Sequence, residues 1–257
     1  MFFEYSKDKN DAHLHSNRDL QKTQLQNINK CKTLTILTIW PMQKIDFYFD
    51  FLSPFSYFAW INHKTKIIKM VESQKVDFCY KPVLMGRLFA QHGFPGPGEI
   101  KAKRAYELKK CFRYASRNKI PFSPPSTFPF NPLAIIRLAT KAASKEQQAE
   151  IIDLIFKSVW SESKVLDDPA LVESLLSVHE FPSHIYEDSF NREAKTELKA
   201  NIKEALSKDI FGVPSFVIND EYFWGNDSFE DINQYLSKND IWNKKLYNEV
   251  LSNNQLD

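Results

Sequence analysis

The apolar positions of this chain change period along its length, and those changes divide it into elements. Ile45-Asp46-Phe47-Tyr48-Phe49 is dense in aromatic and branched residues, which predicts a strand buried on at least one face. Ser53 then stands where a helix N-cap belongs and Pro54 at the first helical position, where proline's fixed φ suits the turn and its missing donor is not needed. A helix is predicted from Pro54 to about Val71, ended by the polar run Glu72-Ser73-Gln74-Lys75. Val76-Asp77-Phe78-Cys79-Tyr80 alternates and predicts a second strand, stopped by Pro82, which cannot donate to a ladder. Two strands joined by one helix favour a right-handed crossover and a parallel pair.

The middle reads as helical. Val83 to Leu88 leads into Gln91-His92-Gly93-Phe94-Pro95-Gly96-Pro97-Gly98, whose glycines and prolines force a loop. Glu99 to Asn118 is a charged helix with Tyr106, Leu108, Phe112 and Tyr114 as its expected apolar contacts, and the proline-rich stretch Ile120 to Phe130 is an extended connector. Asn131-Pro132 opens a helix to about Ala143, and Ser144-Lys145-Glu146-Gln147 has capping-box spacing before the wide apolar face of Ile151, Ile152, Ile155, Phe156, Val159 and Trp160. Asp168-Pro169 opens a further helix, and Asn191 to Lys208 forms another. The strand period returns at Ser215-Phe216-Val217-Ile218, with Asn219-Asp220 as turn and Glu221-Tyr222-Phe223-Trp224 as antiparallel partner. Gly225-Asn226-Asp227-Ser228 begins a helix that faces Phe229, Ile232 and Leu236 inward, and Ile241 to Leu251 is a short peripheral helix.

This order is that of an α/β thioredoxin-like fold with an all-helical insertion between its β-α-β half and its C-terminal β-β-α half. The expected domains are 42–82 with 210–238 for the thioredoxin-like part, 83–209 for the insertion, and 239–257 for a peripheral helix and tail. Residues 1–41 are expected to be a polar, disordered extension: Lys7 to Lys32 lacks sustained apolar periodicity, and Leu34 to Trp40 is too short and too late for a signal peptide. Met42 is a candidate natural start, which would open the chain directly into the first strand; a native peptide spanning Asn10 to Gln26 would exclude that.

Composition narrows the function classes. With 257 residues, 43% hydrophobic and 21 Phe, there is ample material for a core. A formal net charge of +2 argues against a general nucleic-acid-binding protein. No apolar run approaches the roughly 18 residues of a membrane span. Cys31, Cys79 and Cys111 make no disulfide framework, zinc pattern or C-x-x-C motif, which fits the cytoplasm.

The strand-to-helix turn at Ser53 presents unpaired N–H groups and a partial positive charge, a place to hold an anion or lower a thiol's pKa, with the Ser53 and Ser56 hydroxyls beside it. Ser53 alone reads equally as a plain cap. In a thioredoxin-like fold, however, the residue before a cis-proline offers its backbone to an extended peptide, and Val213-Pro214 occupies that place. Disulfide exchange needs two thiols, and Ser53-Pro54-Phe55-Ser56 has none, so redox exchange by the chain's own thiols at this site is excluded. A serine there can still donate to a thiolate brought by glutathione.

Phe47 to Tyr57, Phe211-Gly212-Val213-Pro214 and Phe223-Trp224-Gly225-Asn226-Asp227 together resemble the 2-hydroxychromene-2-carboxylate isomerase family, kin of kappa-class glutathione transferases among DsbA-like thioredoxin proteins. The resemblance covers about Lys44 to Lys238, including Lys81-Pro82-Val83-Leu84, Tyr106 and Phe128 to Leu133. It implies glutathione as cofactor, Ser53 as the catalytic serine beside its thiolate, Val213 and Pro214 as backbone partners of its cysteinyl group, and Trp224, Gly225, Asn226 and Asp227 as cradle for its γ-glutamyl end. It also implies a homodimer, and cis/trans isomerisation of an aromatic or unsaturated electrophile through reversible thiolate addition, as in the family's bacterial enzyme of naphthalene breakdown. Phe94 stands where relatives place a glutathione-contacting Asn, and the polar residues that meet the family's substrate align near Phe89, Pro97 and Gly98. The expected substrate pocket is therefore Phe55, Phe89, Phe94 and Tyr106. A kappa-like transferase and a non-catalytic thioredoxin-like binder are the alternatives.

Other features carry less. His179 and His184 lack the companion ligands that zinc requires, so no metal is expected. Lys101, Lys103 and Arg104 read as a solvated face or as partners for a substrate carboxylate, and Tyr106 and Trp224 as pocket lining or core.

Overall fold

A computed structural model describes residues 43–63, 76–140 and 144–253. The expected extension over 1–41, the candidate start at Met42 and the end of the first helix near Val71 lie outside the described residues.

Strand β1 (Gln43–Phe49) leads through a tight turn into helix α1 (Pro54–Asn62), and β2 (Val76–Pro82) pairs parallel to β1, Gln43 opposite Val76. The helices α2 (Met85–Gln91), α3 (Lys101–Asn118), α4 (Leu133–Thr140), α5 (Lys145–Trp160), α6 (Pro169–Val178), α7 (Ser183–Asp188) and α8 (Arg192–Ser207) follow. The chain then returns to β3 (Ser215–Ile218), β4 (Glu221–Trp224), α9 (Phe229–Leu236) and α10 (Lys244–Asn253). The sheet order is β2-β1-β3-β4, with β1/β3 and β3/β4 antiparallel. This is the α/β thioredoxin-like fold that the order of elements predicts.

Several starts have the expected chemistry. Ser144 Oγ accepts the Gln147 N–H, Asp168 accepts the Ala170 N–H, and Asn191 accepts the Ala194 N–H, each opening its helix. Asn219 and Asp220 both adopt positive φ, 49° and 69°, the conformation that a two-residue hairpin turn demands.

Because side chains alternate along a strand, β1 serves two cores. Phe47 and Phe49 face α1 and α5: Phe47 stacks on Phe216 at 4.7 Å, and Phe49 meets Phe156 at 5.6 Å. Tyr48 points the other way, into a smaller cluster with Val83, Leu88, Ala205, Ile210, Val213 and Val217. There its hydroxyl donates to Glu204, which also accepts from Lys81 and Lys208 and so ties α8 beneath the sheet. Burial opposes ionisation of Glu204, but these three donors outweigh it and hold the carboxyl down to about 2.

One reading of the middle needs correction. Met85 to Gln91 is a helix that leads into the expected loop, and α3 packs only in part through its large apolar residues. Cys111 and Ala115 are its buried residues, while Tyr106, Leu108 and Phe112 are exposed. Small side chains let α3 lie close to its neighbours; of its bulky rings Tyr114 turns in, meeting Phe58 at 4.8 Å, while Tyr106 and Phe112 are left at the rim.

Candidate functional site

The site begins where β1 ends. The Asp50 carbonyl accepts the Ser53 N–H at 3.0 Å, closing the turn. Ser53 then adopts φ −93° and ψ 111°, and its Oγ accepts the Ser56 N–H at 3.1 Å. Ser53 is thus the N-cap of α1, with Pro54 in the first turn, and it is 3% exposed. Its hydroxyl still has a proton to give, and this is directed at the Val213 carbonyl, 160 residues away in sequence, at 3.4 Å. That long contact joins the two stretches. Ser56 lies one turn on, and its buried Oγ has no hydrogen-bond partner among the described residues.

The second stretch is held by its own backbone. The Val213–Pro214 peptide is cis, and the Pro214 carbonyl accepts the Gly225 N–H at 2.9 Å, so the end of the hairpin is pinned to the proline. The Val213 N–H makes no hydrogen bond among the described residues. Gly225 has φ 103°, a conformation closed to other residues without strain, and a Cβ there would collide with the Asp227 carboxylate. At Gly212 a Cβ would come within 2.9 Å of the Trp224 Nε1, so glycine there is what lets the indole lie against the loop. Trp224 rests on the Phe211 ring at 5.1 Å and keeps 54% of its surface open. Asn226 is buried and Asp227 exposed, and Ser228 Oγ donates to the Gly225 carbonyl at 2.8 Å. Glu230 and Asp231 occupy the first turn of α9, which makes that helix end a poor seat for a carboxylate.

The expected aromatic residues are dispersed by comparison. Phe89, on α2, packs against Phe94 at 5.2 Å, and Gly96 closes over the Phe89 ring. Phe55 lies under the Lys110 ammonium, 5.1 Å from the ring centroid. Tyr106 is 61% exposed on α3, and among the described residues no ring contact joins it to Phe55 or to the Phe89–Phe94 pair.

Two groups beside the site were not singled out from the sequence. Lys110 was one charge in a run of charges. Asp50 had a signal, a carboxylate between two phenylalanines in an aromatic stretch. It is 1% exposed, Oδ1 accepts the Leu52 N–H at 2.9 Å, and Oδ2 accepts the Met85 N–H at 2.7 Å. Burial pushes its carboxyl up to about 6, against the pull of those two N–H groups. The thiol of Cys111 is pushed to about 12, chiefly by burial, and is no nucleophile. No cluster of three metal-ligating side chains occurs among the described residues, and no helix among them is long and apolar enough to cross a membrane.

Comparison with known proteins gives this geometry a lineage. The DSBA-like thioredoxin domain matches residues 44–237. The 2-hydroxychromene-2-carboxylate isomerase of Pseudomonas putida is 30% identical over 189 residues, 71% of this chain and 89% of that protein. Glutathione S-transferase kappa 1 of Caenorhabditis elegans is 25% identical over 213 residues, 77% of this chain and 92% of that protein. A solved 2-hydroxychromene-2-carboxylate isomerase superposes with a TM-score of 0.65 at 24% identity, over 83% of this chain and 99% of the other. The chain belongs to the DSBA-like thioredoxin family and, within it, to the 2-hydroxychromene-2-carboxylate isomerases, and it is an enzyme of the isomerase or transferase kind.

Proposed function

We propose that the chain is a glutathione-dependent isomerase acting on an unsaturated, aromatic electrophile, with Ser53 as the residue beside the reacting sulfur. The observation that carries the reading is the Ser53 hydroxyl directed at the Val213 carbonyl. It brings together a proton donor, a helix N-terminus and a backbone edge at one point. The residues fit the cofactor on chemical grounds. Val213 has an unused N–H to pair with an extended peptide, Ser53 has a hydroxyl proton held only by a long contact, and Ser56 adds a second hydroxyl without a partner. The exposed Asp227 carboxylate suits an ammonium group, and the open face of Trp224 gives a flat apolar support.

Bound there, glutathione supplies a thiolate able to add reversibly to a conjugated double bond. The chain's part is to keep that sulfur ionised and aimed. The Ser53 Oγ accepts the Ser56 N–H and so is oriented before anything binds; its proton, held by the long contact to the Val213 carbonyl, would be free to turn to the sulfur. The N-terminus of α1 adds a partial positive charge at the same point. Neither contribution moves a proton onto the chain, which suits a reaction that regenerates its thiolate.

The kinship with a kappa-class transferase supports a second reading, in which the sulfur stays on the electrophile. Calorimetry with millimolar glutathione tests both, and absence of binding sinks both. Absorbance spectra of an electrophile panel then separate them: isomerisation returns free glutathione in full, and conjugation consumes it.

A further inference from the structure

Asp50 links the turn before Ser53 to the start of α2. Its Oδ1 holds the Leu52 N–H, next to Ser53, and its Oδ2 holds the Met85 N–H, 35 positions along the chain, at 2.7 Å. Met85 opens α2, whose N-cap Leu84 makes no side-chain hydrogen bond, so Asp50 satisfies an N–H that the helix's own sequence leaves open. The turn at Ser53 has other supports, the Ser53 N–H to the Asp50 carbonyl and the Ser56 N–H to Ser53 Oγ. The first residue of α2 depends on the carboxylate. Four positions further on, α2 carries Phe89, the ring against which Phe94 rests. A buried carboxylate without a basic partner costs more than an amide or an apolar side chain at the same place, yet only a carboxylate accepts with both oxygens at once.

We infer that Asp50 is a positioning residue: its carboxylate sets the Phe89–Phe94 wall relative to Ser53, and so governs the fit of the electrophile rather than of glutathione. This rests on the proposed two-part crevice. Asp50→Asn keeps the shape but turns one acceptor into a donor that opposes an N–H. Met85→Pro removes the bonded N–H and leaves Asp50 in place. Proline is tolerated at a first helical position, and Leu84 already has the extended conformation (ψ 105°) that a residue before proline requires. Met85→Ala, which keeps the N–H, is the control.

Hydrogen exchange followed by mass spectrometry on the full chain, without ligand, should show residues 85–94 exchanging about tenfold faster in Asp50→Asn and Met85→Pro, with residues 54–62 within twofold of wild type. Steady-state assays with glutathione and 1-chloro-2,4-dinitrobenzene or a benzylidenepyruvate should show the KM for the electrophile raised about tenfold. The glutathione Kd by calorimetry should stay within twofold. Equal loosening of both segments, loosening of neither, or a glutathione Kd that rises with the electrophile KM would each overturn the inference. Should Asp50→Asn fail to fold, Met85→Pro decides alone, and wild-type exchange and KM in that variant reject the role. Should the wild type neither bind glutathione nor turn over an electrophile, the proposed function falls, while the exchange experiment still judges Asp50.

Discussion

The Ser53–Val213 site and the ring-bearing segments proposed beside it are held by different kinds of contact. Around Ser53, Val213, Pro214 and Gly225 the contacts run through backbone: a cap, a carbonyl, a pinned hairpin end and a glycine whose φ leaves no room for a side chain. Around Phe55, Phe89, Phe94 and Tyr106 they run through rings, one of them under a lysine and another largely in solvent. Backbone geometry tolerates few sequences, whereas a wall of partly open rings tolerates many. A fold can therefore keep its backbone-built part and change its ring-built part without refolding.

Substitutions should separate the halves, and the largest effect is expected on the first. Ser53→Ala removes the donor proposed to meet the reacting sulfur, and turnover should fall about a hundredfold, in the range seen when one oxyanion donor is lost. The same change removes the cap of α1 and should cost about 1 kcal/mol in urea unfolding. Turnover within twofold of wild type would assign Ser53 to capping alone. Gly225→Ala comes next: its φ and the Asp227 carboxylate both resist a Cβ, and a loss of about 1–2 kcal/mol with weaker glutathione binding is expected. An unchanged glutathione Kd in that variant would remove Gly225 from the cradle.

The same difference explains what could be read in the sequence. Ser53-Pro54, Val213-Pro214 and Asn219-Asp220 are backbone statements, since each residue type fits few conformations, and the structure has each in the predicted role within the fold. The start of α2 was hidden because its N–H partner is Asp50, distant in sequence, and no local cap announces it. The inward face of α3 was legible at Tyr114 and misread elsewhere, because size was taken for burial. Cys111 and Ala115 pack inward there, and Tyr106, Leu108 and Phe112 are left outside. Which rings converge on a substrate depends on loop paths that no local pattern encodes.

A pH series sharpens the comparison through two carboxylates held in different ways, Asp50 by backbone N–H groups alone and Glu204 by charged and hydroxyl donors. Asp50 titrates near 6 in the fold, above its ordinary value, so between about pH 4 and 6 the folded chain holds the extra proton. Its contribution therefore falls as pH rises through that window, and lowering pH from 7 to 5 should stabilise wild type by about 1 kcal/mol relative to Asp50→Asn. Glu204 is held down to about 2 and has the opposite sign. Its contribution is complete above its unfolded value of 4.5 and is lost as pH falls toward 2, so Glu204→Gln should flatten only the acid limb. Urea midpoints from pH 7 to pH 3 read both. Two variants with the same profile would mean that the two carboxylates are not electrostatically distinct.

The smallest effect on stability, and the most informative about substrate, is expected from Phe94→Ala. The ring is 40% exposed and touches mainly Phe89, so its loss should cost under about 0.5 kcal/mol, as for other substitutions away from a packed core. If the ring forms part of the electrophile's wall, KM for an aromatic electrophile should rise severalfold, while KM for a small aliphatic enone stays unchanged and glutathione binds as before. A parallel rise for both electrophiles would place Phe94 in the glutathione half after all. The division between a backbone-built and a ring-built side would then have to be redrawn through the loop that joins α2 to α3.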